Sequence, residues 1–184
     1  MSDLSQPPLQ LLPARGADFA WPTPELAGYP GPAVPSVAPW CAVEGLNGNA
    51  LKGQLVRFTP EHGELHLLMP NQRRPLQLRT DQFRRLCLTD PLAALQPQDE
   101  VGDLVLAGPS LPFTVQFSDG RQWQGDTVGH RETAWGLFLF EKIDGGTDLR
   151  RWFVPRTAYS DAEVGMRLGD ALVAQNSASP EQIR

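Results

Sequence analysis

Cys41-Ala-Val-Glu44, Asn47-Gly48 and Leu51-Lys-Gly53-Gln-Leu-Val56-Arg-Phe58 decide how this chain folds. Two short, largely alternating runs joined by an Asn-Gly pair predict strand, tight turn, strand, because Asn and Gly both tolerate the positive φ of a two-residue hairpin. Thr59-Pro-Glu-His-Gly63 then supplies a turn, Glu64-Leu-His-Leu-Leu-Met69 a third strand and Pro75-Leu-Gln-Leu-Arg79 a fourth. Phe83-Arg-Arg-Leu-Cys-Leu88 closes the set.

The order returns downstream. Asp119-Gly120 follows Asn47-Gly48 at an offset of 72 residues, and the same offset carries Gly53 to Gly125 and Val56 to Val128. With small insertions, Gly63-Glu-Leu-His-Leu67 answers Gly136-Leu-Phe-Leu-Phe140, and Leu78-Arg-Thr80 answers Pro155-Arg-Thr157. A glycine inside the second strand permits a sharp bend or bulge, and the whole order is similar to that of Sm-like and SH3-like small barrels. The expected fold class is therefore mainly β: two tandem Sm-like/SH3-like small barrel units, a proline-rich N-terminal tail and a short C-terminal helical segment.

The expected divisions are a tail at 1–40, a first β unit at 41–89, a connector at 90–110, a second β unit at 111–160 and a helical motif at 161–184. Nine of the 18 prolines fall in the first 40 residues, where they remove donors and break helix and ladder alike. Phe19, Trp21 and Tyr29 are unusual in a pure linker, so part of the tail should pack back onto the body. In the connector, Leu92 to Leu95 suits one helical turn. Leu168, Leu172 and Val173 stand at helical spacing, and Ser179-Pro-Glu-Gln reads as the cap of a second helix.

A formal charge of −5 argues against sequence-independent binding to nucleic acid or anionic lipid, both of which need a dominant positive field. Met1-Ser-Asp-Leu-Ser-Gln-Pro-Pro8 lacks the basic and apolar regions of a signal peptide. No apolar run approaches the length of a membrane span. A cytoplasmic protein without membrane insertion is expected, and Cys41 and Cys87 are expected as buried free thiols.

Catalytic machinery is not legible in the chain. His62-Gly-Glu-Leu-His66 has Gly where a zinc-protease helix needs Glu, and Gly48 to Gly53 has phosphate-loop spacing but continues Gln54-Leu55 in place of Lys and a hydroxyl. Ser110, Ser118 and Ser160 lack a Gly-x-Ser-x-Gly elbow. The expectation is a non-enzyme with no cofactor and no metal.

Arginine is the side chain that stands out. Arg73, Arg74, Arg79, Arg84 and Arg85 crowd the first unit, and Arg150, Arg151 and Arg156 recur in the second. Guanidinium forks bind phosphate and carboxylate bidentately, so these residues are either a solvated face paired with acids such as Asp81 and Asp148 or a surface for an anionic partner. Exposure of Trp123, Trp135 or Trp152 would favour the surface. The repeat implies that Arg73, Arg74 and Arg79 occupy strand ends comparable to those of Arg150, Arg151 and Arg156.

The C-terminal run Arg167-Leu-Gly-Asp-Ala-Leu-Val-Ala-Gln-Asn-Ser-Ala-Ser-Pro-Glu-Gln-Ile183 resembles the first helical motif in the N-terminal domain of type II secretion and type IV pilus assembly ATPases. Asn176 and Ala178 depart from the usual Gly and Ile or Leu. The resemblance implies a non-catalytic regulatory or docking region whose partners are protein components of a secretion or pilus machine, with Walker motifs lying beyond Arg184. In some members this motif contacts cyclic di-GMP, which would involve Arg167, Leu168 and Gly169 here. The second copy of the motif is missing, so this chain is not expected to bind that ligand. Two other readings stay open: a PilZ-like cyclic-dinucleotide receptor, although no Arg-x-x-x-Arg occurs, and an Sm-like RNA-binding module, which the acidity opposes.

Overall fold

Both Asx-Gly pairs make the same turn. In a computed structural model that describes residues 18–95 and 110–165, Gly48 adopts φ 84° and Gly120 φ 85°. The Gly48 N–H donates to Gly45 O and the Asn49 N–H to Asn47 Oδ1; 72 residues on, the Gly120 N–H donates to Phe117 O and the Arg121 N–H to Asp119 Oδ1. The side chain that precedes each glycine thus satisfies the donor that follows it.

The first turn joins β1 (Trp40–Gly45) to β2 (Ala50–Thr59), followed by β3 (Glu64–Leu68), β4 (Leu76–Arg79), a 3₁₀ turn at Thr80–Gln82 and β5 (Phe83–Leu92). The second joins β6 (Leu111–Phe117) to β7 (Gln122–Thr127), followed by β8 (His130–Thr133), β9 (Gly136–Lys142), β10 (Leu149–Pro155), a 3₁₀ turn at Arg156–Ala158 and β11 (Tyr159–Val164). All pairings are antiparallel. β5 returns to pair with β1, and β11 returns to pair with β6. Each return carries a bulge at one place: Phe83 and Arg85 flank it in β5, and Tyr159 and Asp161 in β11.

These strands do not close into barrels. They form one eight-stranded sheet, β4-β3-β2-β1-β5-β10-β9-β8, and one three-stranded sheet, β11-β6-β7. The join between the two stretches is the β5–β10 pairing, with Trp152 opposite Cys87 and Phe153 opposite Leu86. Gly53 lies opposite Cys41 and Gly125 opposite Phe113, so the two glycines hold the same register. The valines do not: Val56 falls in a bulge between Leu55 and Arg57, whereas the Val128 N–H donates to Phe140 O, where β7 gives way to β8. Two alignments also move by one residue. Glu64 and Gly136 each open a strand opposite Arg79 and Pro155 respectively, so Gly136 answers Glu64 and Pro155 answers Arg79.

Two cores lie on opposite sides of β9 and β10. Phe138, Phe140 and Phe153 belong to the first core, with Phe58, Leu65 and Leu86, while Leu137, Leu139 and Val154 belong to the second, with Phe113 and Val115. Burial on both faces explains why 136–140 reads as an unbroken apolar run rather than an alternation. Trp21 reaches the centre of the first core at 1% exposure, stacked on Phe58 at 5.0 Å, and the Tyr29 hydroxyl donates to Thr147 O at 2.6 Å. The described part of the proline-rich segment therefore covers the large sheet.

Two expected boundaries shift. β5 continues to Leu92, and Ala93 to Leu95 form no helical turn. Asp161 to Val164 are strand rather than the start of a helix, because they complete the pairing with β6. The helical motif from Met166, including Arg167, Leu168 and Gly169, lies outside the described residues. Among the described residues no helix is long and apolar enough to cross a membrane.

Candidate interaction surface

The bulge in β5 turns two consecutive arginines toward one carboxylate. Arg84 Nη1 donates to Glu44 Oε1 at 2.6 Å and Arg85 Nε to Glu44 Oε2 at 2.7 Å. Arg84 Nη2 also donates to Leu46 O at 2.9 Å and to the Asp119 carboxylate in the β6–β7 turn. Its guanidinium lies 5.2 Å from the Phe117 ring centroid. Arg85 packs against Trp123 at 4.5 Å and Trp152 at 5.0 Å, where cation–π attraction adds to the ion pair. Trp152 Nε1 donates to Glu141, which also takes Arg150 at 3.4 Å. This cluster ties β1 and β5 to β6, β7, β9 and β10.

Beside the cluster, Thr157 Oγ1 donates to Thr80 O at 3.1 Å, so the 3₁₀ turns at Thr80–Gln82 and Arg156–Ala158 meet. They wall a cleft of about 280 Å³ lined by Leu46, Asp81, Arg84, Ser118 and Asp119. Burial pushes the Glu44 carboxyl up, but hydrogen bonds from Arg85 and Arg84 outweigh it and hold the group below its ordinary value. The Arg121 N–H is the largest influence holding Asp119 low; desolvation opposes it, and the hydrogen bond from Arg84 adds to the lowering. Burial pulls Arg84 down, yet Asp119 and Glu44 leave it raised and charged.

Depressed folded-state carboxyl values mean stability that is complete above the unfolded values, about pH 4, and lost as pH falls through the folded ones. Urea midpoints are therefore expected to drop between about pH 5 and pH 3, with a shallower drop in Glu44→Gln. Equal slopes for the two proteins would show that Arg84 and Arg85 draw no net stability from Glu44.

The arginines do not form one paired rim. Arg73 and Arg74 are exposed in the β3–β4 turn, and Arg79, exposed at the end of β4, pairs with Asp81 at 2.8 Å. Arg150 is held by Glu141, and Arg151 is half-buried with its Nε unpartnered and its pKa lowered by burial. Arg156 folds onto Tyr159, with its Nη1 donating to Tyr159 O at 3.0 Å. β4 and β10 stand five strands apart in the sheet order, roughly 24 Å at the usual strand spacing. One set thus faces solvent at the sheet's end while Arg150 and Arg151 support its middle.

Trp123, Trp135 and Trp152 are all half-buried. Asp148 belongs with Tyr29, whose hydroxyl pKa is raised by burial first and by that carboxylate second. Glu44 and Asp119 were missed as arginine partners, because only strand register and the second turn's position reveal them. His62 lies in a 3₁₀ turn, His66 in β3 and His130 at the start of β8. Among the described residues no group of three or more His, Cys, Asp or Glu is placed to hold a metal. Cys41 and Cys87 are free and buried, each thiol pushed up to about 12 chiefly by desolvation. No family model, curated protein or solved structure matches the chain.

Proposed function

We propose that this chain is a non-catalytic docking region of the kind that precedes the helical motif of type II secretion and type IV pilus assembly ATPases, built from two tandem Sm-like/SH3-like units. The unit reading is supported by the shared order of four-strand meander, 3₁₀ turn and a last strand that returns to the first. The β7–β8 break modifies that order in the second unit.

The observation that carries docking is the end of the large sheet. There Arg73, Arg74 and Arg79 are exposed beside β4, whose outer edge has no partner strand among the described residues, and Leu76 is 38% exposed. An open edge offers backbone donors and acceptors for strand addition, while the arginines select an acidic segment. The partner is an acidic stretch of a protein in the secretion or pilus machine.

Fluorescence anisotropy with a labelled oligoglutamate peptide tests this. Saturable binding at low salt, weakened about tenfold by Arg73→Glu with Arg74→Glu, is expected; unchanged affinity in that variant overturns the reading. The same strand order supports Sm-like RNA recognition as a second reading, which retention of RNA on filters at low salt would promote. Saturable heat on titration with cyclic di-GMP would instead favour a dinucleotide receptor.

A further inference from the structure

The chain already contains one example of how its two halves join. β10, the fourth strand of the second stretch by pairing order, lies antiparallel to β5, the last strand of the first. β4 holds the place of β10 in the first stretch, with Leu76, Gln77 and Arg79 answering Trp152, Phe153 and Pro155. β11 holds the place of β5 in the second, with Ala162, Glu163 and Val164 answering Leu86, Cys87 and Leu88 across the shared bulge. Among the described residues β4 and β11 are both end strands, so each lacks the neighbour that its counterpart has.

We infer that the β4 edge of one copy of this chain takes the β11 edge of a second copy, repeating between chains the β5–β10 pairing found within one. The inference rests on the reading of β4 as a docking edge and names its occupant. Transferring the internal register sets Leu76 opposite Glu163 of the second copy, and Gln77 opposite its Ala162. Of the four residues on which the internal join rests, Trp152 and Phe153 have their counterparts, Leu76 and Gln77, within β4, while those of Leu149 and Arg151 are Arg73 and Pro75 in the turn before it.

Charge agrees with this pairing. β11 is Tyr159-Ser-Asp161-Ala-Glu163-Val164, with Asp161 exposed, and the β4 side presents Arg73, Arg74 and Arg79. Arg73 and Arg74 are exposed in the turn that leads into Leu76, the β4 residue set opposite the second copy's Glu163 in the transferred register. Two β4 edges would repel each other, and so would two β11 edges. The contact is therefore head-to-tail, which propagates until it closes into a ring or continues as a filament.

Sedimentation velocity on the full chain across a range of concentrations tests the inference. Wild type is expected to grow beyond the 20.3 kDa monomer as concentration rises. Arg73→Glu with Arg74→Glu, and separately Asp161→Arg with Glu163→Arg, should each raise the dissociation constant about tenfold or more. Mixing the two variants should restore association, since each then offers the other an edge of opposite charge, and this recovery also shows that both are folded. A wild type that stays monomeric overturns self-pairing while leaving oligoglutamate binding, and with it the docking reading, to stand or fall separately. Association that persists in both variants, or no recovery on mixing, also overturns it.

Discussion

Gly136→Val and Gly53→Val are expected to destabilise the protein by about 3 kcal/mol or more each, because the added side chain meets backbone that cannot move aside. A Cβ on Gly136 would stand 2.2 Å from Val154 O and 2.8 Å from the Phe153 ring, inside the β9–β10 pairing that separates the two cores. On Gly53 it would stand 2.6 Å from Leu68 O across the β2–β3 pairing. Gly125, at the same register as Gly53, faces only the far edge of the Phe113 ring at 2.9 Å, and a ring can turn. Gly125→Val should therefore cost less, about 1 to 2 kcal/mol. Urea unfolding at neutral pH measures all three. A Gly53→Val protein within 1 kcal/mol of wild type, or one more stable than Gly125→Val, would contradict this account.

The second large effect is expected at Trp21→Ala, a loss of about 3 to 5 kcal/mol. Trp21 is stacked on Phe58, meets Phe138 edge-on at 5.7 Å and Phe19 at 5.8 Å, and its backbone bridges to Ala33. Removing the indole empties the middle of this aromatic cluster and releases the segment that carries it. Trp21→Phe should recover part of the loss, since the buried Nε1 has no hydrogen-bond partner to forfeit. Thermal melts of both variants give the answer: an alanine variant melting with wild type would mean that the segment lies on the core without stabilising it.

Gly53 and Gly125 were legible in the sequence because turn chemistry is local: Asn47-Gly48 and Asp119-Gly120 mark a register from which the glycines can be counted. The count drifted by one at Gly136 and Pro155 and failed at Val56 and Val128, since the bulge in β2 lies within its pairing with β3 and the β7–β8 break lies where Thr127 and Val128 hydrogen-bond to Phe140, farther along the chain. The Arg84–Glu44–Asp119 cluster stayed hidden for the same reason: its members are separated by 40 and 35 residues and meet only after both turns and the β5–β10 join are in place. Pattern alone made Arg73 and Arg150 look alike. Which end of a sheet is bare and which is covered depends on topology that no single strand encodes.

The β5–β10 join also bears on how the protein is made. β5 is complete at Leu92, but the residue that pairs with it, Leu149, is 57 positions later (149 − 92). At roughly 5 to 20 residues per second, the ribosome needs about 3 to 11 s to deliver that partner. For those seconds the finished edge of β5 is bare on every nascent chain, and neighbouring chains on one message carry the same edge. Slow translation between Leu92 and Leu149 lengthens that exposure and should raise the yield of aggregated product, whereas synthesis at lower temperature with a recruited chaperone should reduce it.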